Sequence, residues 1–164
     1  MTNDNLTWQA HGQAHGQAHG QAHGQAHGQA PRIPLDEFIT FMIDVPWVEG
    51  KANFAQCVCW GLVVLYYRHV VGIELAPTHD MPMAEGMAAQ LATGQWQEVE
   101  QPADGVVFMS YHDGNPAHCG VIIGNRVLHS AGGRGRDGYC RFDRLAALQK
   151  HHTDMRYFIH KGAA

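Results

Sequence analysis

From residue 34 onward the apolar positions recur first at helical and then at strand spacing. Pro34 to Ile43 carries Leu35, Phe38, Ile39 and Met42 three and four apart, and Pro46-Trp47 closes the run, which predicts a first core helix. Asn53 to Val71 predicts a second helix, because Asn53 and Gln56 stand at capping-box spacing and Gly72 follows the last apolar residues. On it Cys59, Leu62, Val63, Tyr66 and Val70 fall on one face, toward the core, while Cys57 shares the other side with Gly61, Val64 and Arg68. A short third helix is expected over Gly86 to Leu91. Beyond it the period changes to two, and Gly105 to Tyr111, His118 to Ile123, Arg126 to Ser130 and Met155 to His160 read as strands. Helices followed by antiparallel strands is the order of an α+β domain.

Gly124-Asn125, between two apolar runs, predicts a two-residue hairpin turn. Its register sets Ile123 opposite Arg126 and Gly120 opposite His129. Strand alternation then sends His118, Gly120 and His129 to one face, with the imidazoles as diagonal neighbours and a glycine leaving room between them. Such a pair suits a general base and the group that fixes its tautomer. Ile122 and Val127 share this face and are expected to pack on the Cys59 helix. Cys119 points the other way with Val121 and Ile123, which argues against it as a nucleophile. His69, His79, His112, His151, His152 and His160 show no comparable pairing and read as surface or structural groups.

A cysteine near a helix N-terminus is favoured as thiolate, the form that attacks carbonyls. A cap at Asn53 puts Cys59 in the second turn, where that influence has weakened. Buried cysteines also serve as small apolar packing groups, and strand histidines occur without a joint role. Neither feature decides the matter alone.

With 164 residues, 45% of them hydrophobic, the chain suffices for one domain, placed at residues 31–164. Residues 1–30 form a low-complexity tail that ends in five copies of His-Gly-Gln-Ala. Metal capture by its histidines and a plain duplicated extension both fit this tract; glycine in every turn disfavours a helix, and the second reading fits better. A net charge of −4 provides no positive field for nucleic acid or anionic lipid. Trp60 to Ile73 is too short for a membrane span and is interrupted by Arg68 and His69. Met1 to Ala10 lacks the basic start and apolar run of a secretion signal, so synthesis in the cytoplasm and reduced thiols at Cys57, Cys59, Cys119 and Cys140 are expected. A metal site built from Cys57, Cys59, His118 and His129 is disfavoured by the Cys-x-Cys spacing. Gly132 to Gly138 is glycine-rich and basic, and reads either as a contact for an acidic substrate or, with slight preference, as a flexible connection between strands.

Cys59-Trp-Gly-Leu-Val-Val-Leu-Tyr-Tyr-Arg followed by Gly72-Ile-Glu-Leu resembles the nucleophile helix of the NlpC-type cell-wall cysteine peptidases, in particular the subgroup in phage tail-tip assembly proteins of the K type. Asp104-Gly-Val-Val-Phe-Met resembles their strand before the histidine, and Ala117-His-Cys-Gly-Val-Ile-Ile-Gly the histidine strand. Val127-Leu-His-Ser supplies the third polar residue, His129. The resemblance covers residues 35 to 160. It implies a papain-like α+β fold in which N-terminal helices, one bearing the nucleophile, pack on an antiparallel sheet. It further implies Cys59 as nucleophile, His118 as base, His129 as orienter and no cofactor. The implied reaction is hydrolysis of peptidoglycan stem peptides, commonly beside D-glutamate. The implied setting is a phage or prophage tail acting at the cell wall beside other tail-tip proteins. Three features depart from the family pattern, one being Cys57, an extra thiol close to the nucleophile. Val58 stands where an aspartate is usual, and Trp47 stands where a tyrosine usually points into the site, which makes Trp47 a candidate cleft residue with only an indole N–H to donate. An inactive tail-tip subunit that keeps the fold is the alternative.

Overall fold

The hairpin at Gly124-Asn125 organises the sheet as its sequence predicts. In the computed structural model, which describes residues 32–133, 136–152 and 154–163, Gly124 has a φ of +61° and Ile123 pairs with Arg126, Ile122 with Val127 and Val121 with Leu128. The Gly124 N–H donates to Asp104 Oδ1 at 2.6 Å, which ties the turn to the loop that leads into the strand Val107–His112. The strands are β1 (Trp96–Val99), β2 (Val107–His112), β3 (Asn115–Ile123), β4 (Arg126–Gly133), β5 (Arg136–Arg144) and β6 (Met155–His160). They form one antiparallel sheet in the order β1-β6-β2-β3-β4-β5.

Four expected strands correspond to β2, β3, β4 and β6, while β1, β5 and the helix α4 (Leu145–His151) were not expected. The stretch read as a basic connection is partly ladder: Gly133 pairs with Arg136, and Ala131 with Tyr139. The repeat tail lies outside the described residues.

α1 (Leu35–Met42) follows its predicted spacing, with Phe38 and Met42 buried and Leu35 and Ile39 packed against the core. Asp36 and Glu37 in its first turn suit the positive end of the helix. α3 (Met83–Ala92) starts three residues before the expected Gly86.

α2 (Cys59–Tyr66) departs from expectation at its start. The Asn53 side chain does cap backbone N–H groups, accepting from Ala55 and Gln56 at 2.9 Å each, but it closes an isolated turn and not a helix. The chain then runs extended through Cys57 and Val58. The Cys57 N–H donates to Pro46 O at 3.0 Å, the Val58 N–H to Lys51 O at 2.8 Å and Ser130 Oγ to Cys57 O at 2.6 Å. Helix therefore begins at Cys59. The expected division of this helix into inner and outer faces is also corrected, because all eight residues are buried. α2 lies against β3, β4 and α3, Phe38 of α1 meets Tyr66 edge-on at 5.9 Å, and Trp60 meets Trp96 at 5.9 Å. Each fully buried Val or Leu in such a helix contributes about 1.5–3 kcal/mol. A π-helical turn (Tyr67–Val71) continues α2, and Gly72 ends it at φ +81°, as its position predicts.

The two sheet faces carry separate cores. Val107, Met109, Cys119, Val121 and Leu128 face α1 and α2, whereas Val106, Phe108, Ile122 and Val127 face Leu148 of α4. Ile122 and Val127 thus do not pack on the Cys59 helix. Cys59 nonetheless reaches His118 because β3 and β4 part company: their register stops at Val121↔Leu128, after which β3 stays with β2 and β4 with β5. The start of α2 sits at this split, where Val58 and Cys59 share a cleft with Ala117 and His118 of β3 and Ala131 and Gly132 of β4.

Candidate active site

Cys59 is the first residue of α2, not a second-turn residue, so its sulfur lies at the helix end where the backbone dipole is strongest. The thiol is buried, and burial alone raises a thiol pKa. The opposite direction prevails here. A hydrogen bond from the Cys119 thiol, then hydrogen bonding to the His118 imidazole and its positive charge, and the Cys119 backbone N–H, hold Cys59 well below the ordinary thiol range. Cys119 is correspondingly driven up by its burial and by Cys59, and remains a thiol that donates.

Cys57 behaves in the opposite way. Its hydrogen bond with Cys140 and its burial raise its pKa, and its Sγ donates to Val58 O at 3.3 Å. Two residues apart, one sulfur is stabilised as an anion in an open cleft and the other as a buried thiol.

His118 and His129 meet as the hairpin register predicts, His118 Nε2 lying 2.7 Å from His129 Nδ1. Gly120 is what permits this, since a Cβ there would fall 2.7 Å from the His129 Cβ and 2.9 Å from Phe108 Cε1. His129 Nε2 in turn lies 3.1 Å from Asp143 Oδ2. A carboxylate only accepts, so His129 carries its proton on Nε2 and presents Nδ1 as acceptor. His118 then donates from Nε2, and its remaining ring nitrogen, Nδ1, is the one left for the Cys59 sulfur. Burial, and then the charge on His118, push His129 down to about 4 despite Asp143, which keeps it neutral and accepting near pH 7.

Trp47 is half-buried and lines the same cleft as Cys59 and His118. Its backbone N–H donates to Gly138 O at 2.7 Å, and its side chain packs so tightly on Gly132 that a Cβ there would approach Trp47 Cγ to 2.6 Å. The cleft, of about 970 Å³, is also lined by Glu49, His112, Asp113, Asp137 and Arg141. Among the described residues no group of three or more His, Cys, Asp or Glu side chains is placed to hold a metal ion, and no helix is long and apolar enough to cross a membrane.

Two contributors escaped the sequence reading. Asp143 sits on the unexpected β5, where it is also held by Arg141 Nε at 3.0 Å. The alternation of Tyr139, Arg141 and Asp143 with Cys140 and Phe142 was the available signal. His152, read as unpaired, stacks on His118 with ring centroids 5.8 Å apart.

No family model matches the sequence, and no curated protein does. Among solved structures the chain is similar to the crystal structure of the NlpC/p60 domain of the peptidoglycan hydrolase SagA, with a TM-score of 0.53 and 17% sequence identity. The alignment covers 76% of this chain and 93% of that one. With its helices packed on a six-stranded antiparallel sheet, the chain has the papain-like α+β fold of NlpC/p60 domains.

Proposed function

We propose that this chain is a cysteine peptidase that hydrolyses peptidoglycan stem peptides. One observation carries the reading: a thiol held low at a helix start joins His118, His129 and Asp143 in series at an open cleft. A buried cysteine used only for packing needs none of these partners. The likeness to a peptidoglycan hydrolase domain supports the substrate class.

In this mechanism the Cys59 thiolate attacks the scissile carbonyl carbon, and the carbonyl oxygen takes up the negative charge. Backbone N–H groups at the start of α2, outside the helix's own ladder, are the donors for that oxyanion. The C–N bond breaks as His118 Nδ1–H protonates the leaving amine, which leaves a thioester on Cys59. Water then gives a proton to His118 Nδ1 while its oxygen attacks the acyl carbon. The C–S bond breaks, the new carboxylic acid leaves and gives its proton to solvent, and the thiolate–imidazolium pair is restored. His129 holds the base in the useful tautomer throughout.

The motif resemblance favours a setting in a phage or prophage tail, with neighbouring tail-tip proteins as partners and the cell wall as the place of action. Val58 is the observation behind a second reading, a tail-tip subunit that retains the fold without activity. Digestion of purified peptidoglycan separates the two. Cys59→Ala and His118→Ala are expected to abolish release of stem-peptide fragments and Cys57→Ala to retain most of it. Undiminished release by Cys59→Ala ends the peptidase reading.

A further inference from the structure

The ring of His118 is bounded on more sides than proton transfer requires. His129 meets it edge to face at 5.0 Å, and Phe108 at 5.6 Å, while His152 lies over it nearly parallel, at an interplanar angle of 20°. The placement of His152 follows from α4. Leu148 is buried with Phe108, Ile122 and Val127, and its carbonyl accepts the His152 N–H at 2.9 Å, so the residue that ends the helix is delivered onto the base. Phe108 touches both rings, lying 6.4 Å from His152.

We propose that His152 is a positioning residue for the general base, its ring covering one face of the His118 imidazole and keeping the ring edge on Cys59. The proposal rests on the peptidase reading and extends it. An imidazole that pivots about its bond to the strand loses alignment with the sulfur. A ring stacked on the imidazole and itself 6.4 Å from Phe108 limits that pivot, as near-attack geometry requires.

The stack also makes the site sensitive to acid. The groups facing His118 are Cys59 from α2, Cys119 beside it on β3, His129 on β4 with Asp143 and Arg141 behind it on β5, and His152 after α4 with His151 next to it. The proposed mechanism pairs a Cys59 thiolate with a His118 imidazolium, and in that pair a proton on His152 sets two like charges 5.8 Å apart. Burial, then His118 and His151, lower the affinity of His152 for that proton below its ordinary value. His152 is therefore neutral at pH 7, and the ion pair weakens as pH falls through the range where it charges. In water-like surroundings, suited to a half-exposed group, that separation corresponds to about half a pH unit.

The test uses the full chain with His152→Phe, His152→Ala and His152→Gln. The rate of Cys59 alkylation by iodoacetamide is followed by peptide mass spectrometry from pH 4 to 8, beside kcat and KM on defined muropeptides. Phe, which keeps a stacking ring without a charge, is expected to retain rates at pH 7 within about twofold and to move the acid limb about half a pH unit lower. Ala and Gln, which remove the ring, are expected to lower kcat about tenfold with KM unchanged. Gln decides the point should Ala misfold. Plateau rates equal to the parent in Ala and Gln, or a Phe variant as impaired as Ala, or an unmoved acid limb in Phe, overturns the proposal. A parent chain inactive on every muropeptide refutes the peptidase reading instead, while the alkylation profiles still judge His152.

Discussion

Replacing Asp143 with Asn is the sharpest test of the relay, because it removes a charge without removing bulk. The carboxylate forces His129 to keep its proton on Nε2. An asparagine can present its amide NH2 instead, whereupon His129 turns its N–H toward His118 Nε2 across the 2.7 Å contact. His118 must then carry its proton on Nδ1 and has no lone pair for the thiol. A hydrogen bond to a charged group is worth about 1.5–3 kcal/mol, and the partial exposure of Asp143 favours the lower part of that range. The expected loss is therefore about ten- to thirtyfold in kcat, with KM little changed. Steady-state hydrolysis of a defined muropeptide measures it, and the pH profile of Cys59 alkylation reports the same tautomer without a substrate. Arg141→Ala is the control: it removes the other donor to the same Asp143 oxygen, Oδ2, leaves the carboxylate and its contact with His129 in place, and is expected to cost about twofold. Asp143→Asn with parental kcat and an unaltered alkylation profile refutes the tautomer argument.

Three further outcomes follow from the same geometry. Gly120→Ala puts a Cβ 2.7 Å from both the His129 Cβ and Leu128 O, so it is expected to destabilise the fold by about 1–3 kcal/mol in urea titration and to depress activity by displacing His129. Native alkylation near pH 5 is expected to label Cys59 while Cys57 and Cys119, both driven up, stay unmodified; slow labelling of Cys59 relative to a free thiol counts against its activation. Acid sensitivity should trace to His129. Its native affinity is depressed from 6.5 to about 4, so the unfolded chain binds the proton first. Stability is then complete above pH 6.5 and falls by about 3 kcal/mol as pH drops toward 4. Urea midpoints across that range measure the slope, and His129→Gln should flatten it.

The parts legible in the sequence were those governed by local rules. The spacing of Leu35, Phe38, Ile39 and Met42 specifies α1 because one face of one helix meets one core. The Gly124-Asn125 turn specifies a register and puts His118 and His129 on one face, and just beyond the last pair, Val121 with Leu128, the two rings meet from eleven residues apart. What misled were patterns that more than one structure satisfies. Asn53 and Gln56 have the spacing of a helix cap, but the same side-chain-to-backbone bonds close a free turn, and extended backbone at Cys57 and Val58 then delays the helix. Alternation showed which residues share a sheet face without showing which face takes which helix, since both are apolar: Val107, Met109 and Val121 on one, Phe108, Ile122 and Val127 on the other. β5 was hidden by Asp137, Gly138 and its arginines, and Asp143 with it. His152 has no sequence neighbour that betrays its role, because its partner lies thirty-four residues earlier on a different element.

The delayed helix start changes the meaning of Val58. An aspartate before the cysteine is a natural N-cap, accepting hydrogen bonds from the first turn and stabilising a helix by about 0.5–2 kcal/mol. Here Val58 provides no side-chain cap. The helix does not need one for its stability, because its eight residues are all buried and Val58 is anchored through its backbone to Lys51. A carboxylate at this position would also place a second negative charge beside the Cys59 sulfur and raise its pKa. With valine, the electrostatic stabilisation of the helix start falls on the thiolate without competition from its neighbour. The same substitution that removes a polar group from the motif thus leaves a thiol whose depression comes from Cys119 and His118, which are both in place.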